Sequence, residues 1–531
     1  MLKKIRVIIA ALFFILLTLL FLDFTGTMHQ WLGWMAKIQL IPAILAVNVV
    51  IIVSLVFLTF IFGRVYCSVI CPLGVFQDGI SHIAGTLKRK KNRYGFSPAL
   101  RWLRYGMLGL FVIAMVIGVS AIVSLFDPYA AYGRMASNFF APLYKLGNNI
   151  LASLSEKADS YALYSTEVWI KSWITFGVAL ITFFAVAILA WRNGRTYCNT
   201  ICPVGTALGF LSKFSIFRIT LDTEKCTKCN TCERNCKSSC IDIKTTSIDN
   251  SRCVTCFNCI EKCKYGAISY SLRSFNKGNN EITRKKAVKN GEYVAPEKTG
   301  FEEKNEIIVE KSVDEKATAK GVSRRDIFSI VGSLAVGSSL NAQQLVNVDG
   351  GLAPIEDKKS PVRKTPLTPP GASGTANLKR RCTACQLCVS ACPSNVLRPS
   401  NVFATFMQPE MSFEKGYCRP ECVECSLVCP SGAITAITAA EKTAVSIGHA
   451  VFIKENCVVN KDEIQCESCE RHCPTKAIIL VDRNPGEKNS LKIPVVNDEL
   501  CIGCGACEYL CPARPFSAIY IEGNVRHHFI K

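Results

Sequence analysis

The residues best equipped for chemistry in this chain are its 29 cysteines, and their spacing is regular. Between residues 220 and 270 they read Cys226-x2-Cys229-x2-Cys232-x3-Cys236, then Cys253-x2-Cys256-x2-Cys259-x3-Cys263. Three thiolates on so tight a loop can bind three irons of a cubane, and the fourth iron takes its ligand from the other run. This reading assigns Cys226, Cys229, Cys232 and Cys263 to one [4Fe–4S] cluster, and Cys253, Cys256, Cys259 and Cys236 to a second. Structural zinc prefers separated Cys or Cys/His pairs, which these runs are not. Lys237 and Lys264 stand where such runs usually carry proline, and Cys240 is left as a spare thiol.

Four more runs follow: Cys382, Cys385, Cys388 and Cys392; Cys418, Cys422, Cys425 and Cys429; Cys457, Cys466, Cys469 and Cys473; Cys501, Cys504, Cys507 and Cys511. Each precedes a proline, and the eight residues between Cys457 and Cys466 make Cys457 the most irregular ligand. The expectation is six [4Fe–4S] clusters, with no haem or flavin. Ser431-Gly432-Ala433-Ile434 directly follows Cys429-Pro430, as structural segments of such runs do. None of the six histidines (His29, His82, His449, His472, His527, His528) falls in an apolar span, which argues against a haem in a bilayer.

A second cysteine pattern is duplicated. Arg64-Val65-Tyr66-Cys67-Ser68-Val69-Ile70-Cys71-Pro72-Leu73-Gly74 is echoed by Arg195-Thr196-Tyr197-Cys198-Asn199-Thr200-Ile201-Cys202-Pro203-Val204-Gly205. Two thiols one helical turn apart share a face, so packing of the repeats would gather Cys67, Cys71, Cys198 and Cys202 at the membrane surface for a redox or metal role. The alternative is that Cys-Pro-x-Gly only ends a helix.

The elements that must position these residues begin with four apolar segments long enough to cross a bilayer, approximately 5–22, 38–62, 103–126 and 168–191. Basic residues gather after the second and fourth, where Arg64, Lys88, Arg89, Lys90, Lys91 and Arg93, then Arg192, Arg195, Lys213 and Arg218, stand. The positive-inside rule therefore places both ends of this half in the cytoplasm and residues 127–167 outside. Membrane placement accounts for the net charge of +21 without nucleic acid. Residues 1–219 read as a four-helix transmembrane domain, 220–272 as a two-cluster ferredoxin domain and 273–320 as a charged linker too polar to form a core. The fold class expected is an α-helical membrane bundle of four transmembrane helices plus a fifth anchor, with α+β bacterial ferredoxin-like domains.

Residues 1–270 resemble the NapH/NosR/MauN family of membrane iron–sulfur proteins in their four helices, two Tyr-Cys-x3-Cys-Pro-x-Gly motifs and two-cluster domain. The NapH type is nearest, since no large extracytoplasmic flavin domain is present. The resemblance implies electron flow from membrane quinol toward periplasmic reductases, or service to the maturation of periplasmic enzymes. Residues 321–345 resemble a twin-arginine export signal or anchor, with Arg324 and Arg325 ahead of a mildly apolar segment. Ala342 could end a cleavage site, but Leu340 fits poorly three residues before it, which favours anchoring. A proline-rich tether, 346–378, leads to the four-cluster domain, 379–531.

That domain resembles the NapG-type polyferredoxin. By analogy with related four-cluster subunits, Cys511 completes the set of Cys382, Cys385 and Cys388, Cys392 joins Cys501, Cys504 and Cys507, Cys473 joins Cys418, Cys422 and Cys425, and Cys429 joins Cys457, Cys466 and Cys469; sequential pairing is the alternative. The whole reads as a NapH-like subunit fused to a NapG-like one in the bacterial inner membrane. Residues 192–320 would be cytoplasmic and 346–531 periplasmic. The function expected is electron transfer from the quinol pool or another donor to a periplasmic redox partner, a quinol dehydrogenase component. The alternatives are electron or metal supply for maturation of a periplasmic metalloenzyme, or a wholly cytoplasmic ferredoxin relay. No Ser/His/Asp constellation, phosphate loop or dinucleotide fingerprint is evident.

Overall fold

The first apolar segment forms one continuous helix, α1 (Leu2–Leu22), apolar on every side after the basic residues of its first turns, as a helix without a water-facing stripe must be. In the computed structural model, residues 1–23, 26–87, 94–160, 164–273, 347–348, 353–354, 356–486 and 490–530 are described. Short helices α2 (Thr27–Leu32), α3 (Trp34–Lys37) and α4 (Leu40–Leu45) lead to α5 (Val49–Phe62). Val47, at φ 55°, turns the chain between α4 and α5. The predicted second span is therefore two helices, because a β-branched residue in the left-handed region cannot continue one.

Next come α6 (Val65–Val69) and α7 (Pro72–Leu87), which carry the first Cys-Pro motif. The predicted third span is also divided, into α8 (Arg101–Ile117) and α9 (Ser120–Phe126), at Gly118 in the left-handed conformation that ends helices. α10 (Pro128–Met135), a π-helical turn (Ala136–Phe140), α11 (Ala141–Lys157) and α12 (Trp173–Asn193) follow, then α13 (Thr196–Thr200) and α14 (Pro203–Ser212) with the second motif. Among the described residues only α1 and α12 are uninterrupted helices long and apolar enough to cross a membrane. Of the four expected transmembrane helices, two are continuous and two are broken into shorter helices.

Residues 127–167, expected outside, are divided too. Every residue of α10 is buried. Asp127 caps it by accepting from the amides of Tyr129 (3.1 Å) and Ala130 (3.3 Å), and Pro128 supplies a first-turn residue with no amide to satisfy. Phe21 packs on Tyr129 and Tyr132, with ring centroids 5.8 and 6.3 Å apart.

The first cysteine-rich part pairs β1 (Phe217–Leu221) antiparallel with β4 (Ile268–Leu272), enclosing the short β2 (Ile241–Asp242) and β3 (Ser247–Ile248). Residues 1–273 and 358–531 form one compact unit and 274–357 another. In the second unit, β5 (Asn347–Val348) pairs with β6 (Ala353–Pro354). Arg324, Arg325 and the expected fifth anchor lie outside the described residues. In the C-terminal part three antiparallel pairs form: β7 (Leu397–Pro399) with β8 (Pro409–Met411), β9 (Val445–Phe452) with β12 (Ile519–Phe529), and β10 (Ile478–Asp482) with β11 (Lys492–Val496).

Within the larger unit the two cysteine-rich parts sit at opposite ends of the helices. Residues 216–273 meet the start of α1, the end of α5, the start of α8 and the end of α12. There Lys3 pairs with Glu261, the Ile216 amide donates to the Phe60 carbonyl (2.9 Å), Arg104 donates to the Ser251 carbonyl (3.0 Å), and the Arg195 amide donates to the Lys237 carbonyl (2.8 Å). Residues 358–531 meet the other ends. Gly26 after α1 faces Glu424, and Ala46 before α5 faces Gly432. Ser172 before α12 donates to Asn401 (2.8 Å), and Lys171 donates to the Val389 carbonyl (2.5 Å).

Candidate electron-transfer site

At the first end, Cys226, Cys229, Cys232 and Cys263 line one cavity, the grouping expected from their spacing. A second cavity is lined by Cys236, Cys253, Cys256 and Cys259, and by Cys240 as well. The supposedly spare Cys240 is thus at the site, its sulfur 3.5 Å from that of Cys236. That contact lowers the Cys236 thiol below its ordinary value, because the neighbouring S–H stabilises its thiolate. Sequence spacing excluded Cys240 since its run length is wrong; the loop at 236–240 brings it back.

Lys237 replaces the customary proline for a reason visible in the fold. Its carbonyl accepts the Arg195 amide (2.8 Å) and its ammonium lies 3.4 Å from Asp78. Asp78 also accepts from Arg195 Nε and Arg6 Nη1, both at 2.8 Å. Burial by itself would raise the Asp78 carboxyl, but Arg195, Lys237 and Arg6 together hold it well below the ordinary range. Asp78 thereby pins α1, α7, the second motif and the cysteine-rich part to one point.

Cys67, Cys71, Cys198 and Cys202 are brought together, and all four are buried inside the bundle instead of lying at its surface. The two repeats exchange arginines. Arg64 donates to the Cys198 carbonyl (3.3 Å) and Asn199 (2.9 Å), while Arg195 donates to the Cys67 carbonyl (2.6 Å). Gln77 donates to Cys198 Sγ (3.2 Å) and the Gly205 amide to Cys202 Sγ (3.3 Å). Gly74 and Gly205 are required here: a Cβ on Gly74 would lie 2.2 Å from the Cys67 carbonyl of its own repeat and 2.7 Å from Arg195 of the other, and one on Gly205 would lie 2.1 Å from the Cys198 carbonyl and 2.9 Å from Arg64. In the sequence Arg64 and Arg195 serve as orientation signals and open the repeated motif, with no bonding role assigned to them. Their repetition at the same place in both motifs was the available sign of a structural role.

Beyond the four thiols lies α10. Its Arg134 donates to the Ser124 carbonyl (2.8 Å) and, with Asp127, sits close enough to Tyr197 for their charges to interact. A Cβ on Gly133 would stand 2.4 Å from the Cys385 carbonyl, so α10 lies directly against the first C-terminal run. Asn138 donates to Gln386 (3.0 Å), and Ser137 bonds Ser390 (2.9 Å). Nothing in the sequence pattern singled out α10.

In the C-terminal part the pairing expected by analogy is corrected. Cys392 lines a cavity with Cys418, Cys422 and Cys425, and Cys511 one with Cys457, Cys466 and Cys469. Cys429 lies within electrostatic reach of Cys382, Cys385 and Cys388, and Cys473 within reach of Cys501 and Cys504, next to Cys507. First pairs with second and third with fourth. The loops joining consecutive runs fold back locally, so each pair closes without crossing the other. The Cys418 amide donates to the Cys504 carbonyl (2.9 Å), which places the two pairs side by side.

The chain matches the "4Fe-4S binding domain" family at residues 44–93 and 175–221, and the "4Fe-4S dicluster domain" family at 381–459 and 464–514. It is 30% identical over 165 residues to the methylamine utilization ferredoxin-type protein MauM of Methylobacillus flagellatus, covering 30% of this chain and 70% of that protein. It is 32% identical over 219 residues to the ferredoxin-type protein NapG of Escherichia coli, covering 39% and 88%, and 26% identical over 159 residues to NapF of the same organism, covering 30% and 87%. No solved structure matches the chain. With two dicluster segments and this extent of likeness, the chain belongs to the ferredoxin-type iron–sulfur proteins represented by NapG and MauM.

Proposed function

We propose that this protein is a membrane-bound electron conduit, a NapH-like membrane part fused to a NapG-like carrier, that takes electrons from quinol and passes them to a periplasmic redox partner. The observation that carries this reading is the docking of two cysteine-rich parts on opposite ends of one helix bundle, with buried thiols and α10 between them. Six [4Fe–4S] clusters, held by the twenty-four cysteines of the six runs, supply one-electron transfer when bound. The surrounding chain sets their spacing, burial and sulfur hydrogen bonds.

The basic end of the bundle faces the cytoplasm and the 358–531 end the periplasm, in keeping with the positive-inside rule. Export of that end with its clusters in place suits the Arg324–Arg325 segment, because the twin-arginine route carries folded cargo. A partly open cleft between bundle and tail offers a place for quinol. Phe21, Trp169 and Phe176 line it with Lys171 and Gln386, so an apolar ring system would lie beside the first C-terminal run.

Protease treatment of intact spheroplasts tests the sidedness. The tail of the native protein is digested, and the variant Arg324→Lys with Arg325→Lys keeps a protected tail. A tail protected in both would overturn the reading in favour of a cytoplasmic relay.

A further inference from the structure

We propose that Cys67, Cys71, Cys198 and Cys202 jointly hold one more [4Fe–4S] cluster, on the pseudo-twofold contact between the two repeats. The proposal rests on the reading of this chain as an iron–sulfur protein and adds a seventh site to it.

The first support is stoichiometric. Each segment matching the 4Fe–4S binding family, 44–93 and 175–221, contains a single cysteine pair. Four terminal ligands for a cubane are available only if both segments contribute, and the fold brings the two pairs together. The reciprocal arginine bonds described above fix one repeat against the other in the same relation from both sides.

The second support is charge. Arg64 and Arg195 lie against the thiols, and Arg195 shares the carboxylate of Asp78 with Arg6 and Lys237. Asp249 is taken by Arg252 at 2.8 Å. The hydrogen-bond partners of Arg64 are Asn199, two carbonyls and the Cys67 sulfur at 3.8 Å, none of them a carboxylate. Among the described residues, Arg64 Nε and Arg195 Nη2 are buried donors without a partner. Buried cations in excess destabilise a fold unless an anion answers them. Four thiolates around an iron–sulfur core carry net negative charge and supply that anion.

The third support is the ligand geometry. The N-terminus of α14 points its Gly205 amide at Cys202, and Gln77 donates to Cys198, the kind of N–H···S bonding that stabilises metal-bound thiolate.

Iron and acid-labile sulfide counting on anaerobically purified full-length protein tests this. Seven clusters correspond to about 28 irons per chain, and the fourfold Cys→Ser variant at these positions should fall to about 24. Equal iron in both, or loss of a single zinc or copper ion in place of about four irons, would overturn the proposal. Should the fourfold variant fail to accumulate, Cys202→Ser in the native background serves. Mössbauer spectra of iron-57 protein should then show one altered iron environment in about 28, and an unchanged spectrum overturns it. The outcomes separate the two readings: about 24 irons in the native protein removes the seventh site and leaves the conduit, whereas zinc in the six runs removes both.

Discussion

Asp78→Asn should release the junction between helices and the first cysteine-rich part. Its carboxylate meets Arg195 and Arg6 at 2.8 Å and Lys237 at 3.4 Å. The side chains of Arg195 and Arg6 are 0% and 7% exposed, so water cannot take over when the charge is removed. Asparagine keeps the shape but leaves three cations facing one another. Breaking a buried ion pair from one side costs about 3–5 kcal/mol. At about 1.4 kcal/mol per tenfold, the locally opened population rises roughly a hundred- to a few-thousand-fold. Amide hydrogen exchange of α7 and residues 236–240 in detergent-solubilised protein reads this directly. Adding Arg6→Met should recover part of the loss, since one surplus cation goes.

The pH dependence has a definite sign. A carboxyl held below its unfolded value contributes stability above that value, about 3.9, and loses it only as pH falls through the depressed folded value. Amide protection at this junction, taken relative to the intrinsic exchange rate at each pH, should therefore stay flat between about pH 5 and 8 as far as Asp78 governs it. An Asp78→Asn variant whose exchange changes less than about twofold, roughly 0.4 kcal/mol, would refute the reasoning.

Two further outcomes follow from contacts in the site. Cys240→Ser should leave the iron content unchanged, because serine still places an O–H beside Cys236, whereas Cys236→Ser should lose about four irons; iron counting on anaerobic protein decides it. Gly205→Ala should destabilise the bundle by about 1–3 kcal/mol, as its Cβ meets the Cys198 carbonyl. Gly79→Ala, on the same kind of helix with open space around it, should be neutral or stabilising by up to about 1 kcal/mol. Thermal unfolding of the two variants side by side gives the comparison.

What the sequence alone determined was local. Thiol spacing within 226–263 sufficed to group Cys226, Cys229 and Cys232 with Cys263, because three ligands on one tight loop leave the fourth to the neighbouring run. The duplicated Arg-x-Tyr-Cys-x3-Cys-Pro motif announced two packing repeats, and the repeats do pack on each other through their arginines. Hydropathy located the apolar segments but not their breaks, since one residue at positive φ, Val47 or Gly118, changes the chain direction while scarcely altering average hydropathy. Tertiary structure decided what depends on distant neighbours: the sequential pairing of the C-terminal runs, the return of Cys240 to its cavity, and the use of Lys237 as a docking residue. It also decided that α10 lies inside the bundle against Cys385. No periodicity encodes these facts. Burial and charge compensation depend on which segments pack together, and Asp78 becomes the centre of a charged junction only once α1, α7 and the second repeat surround it.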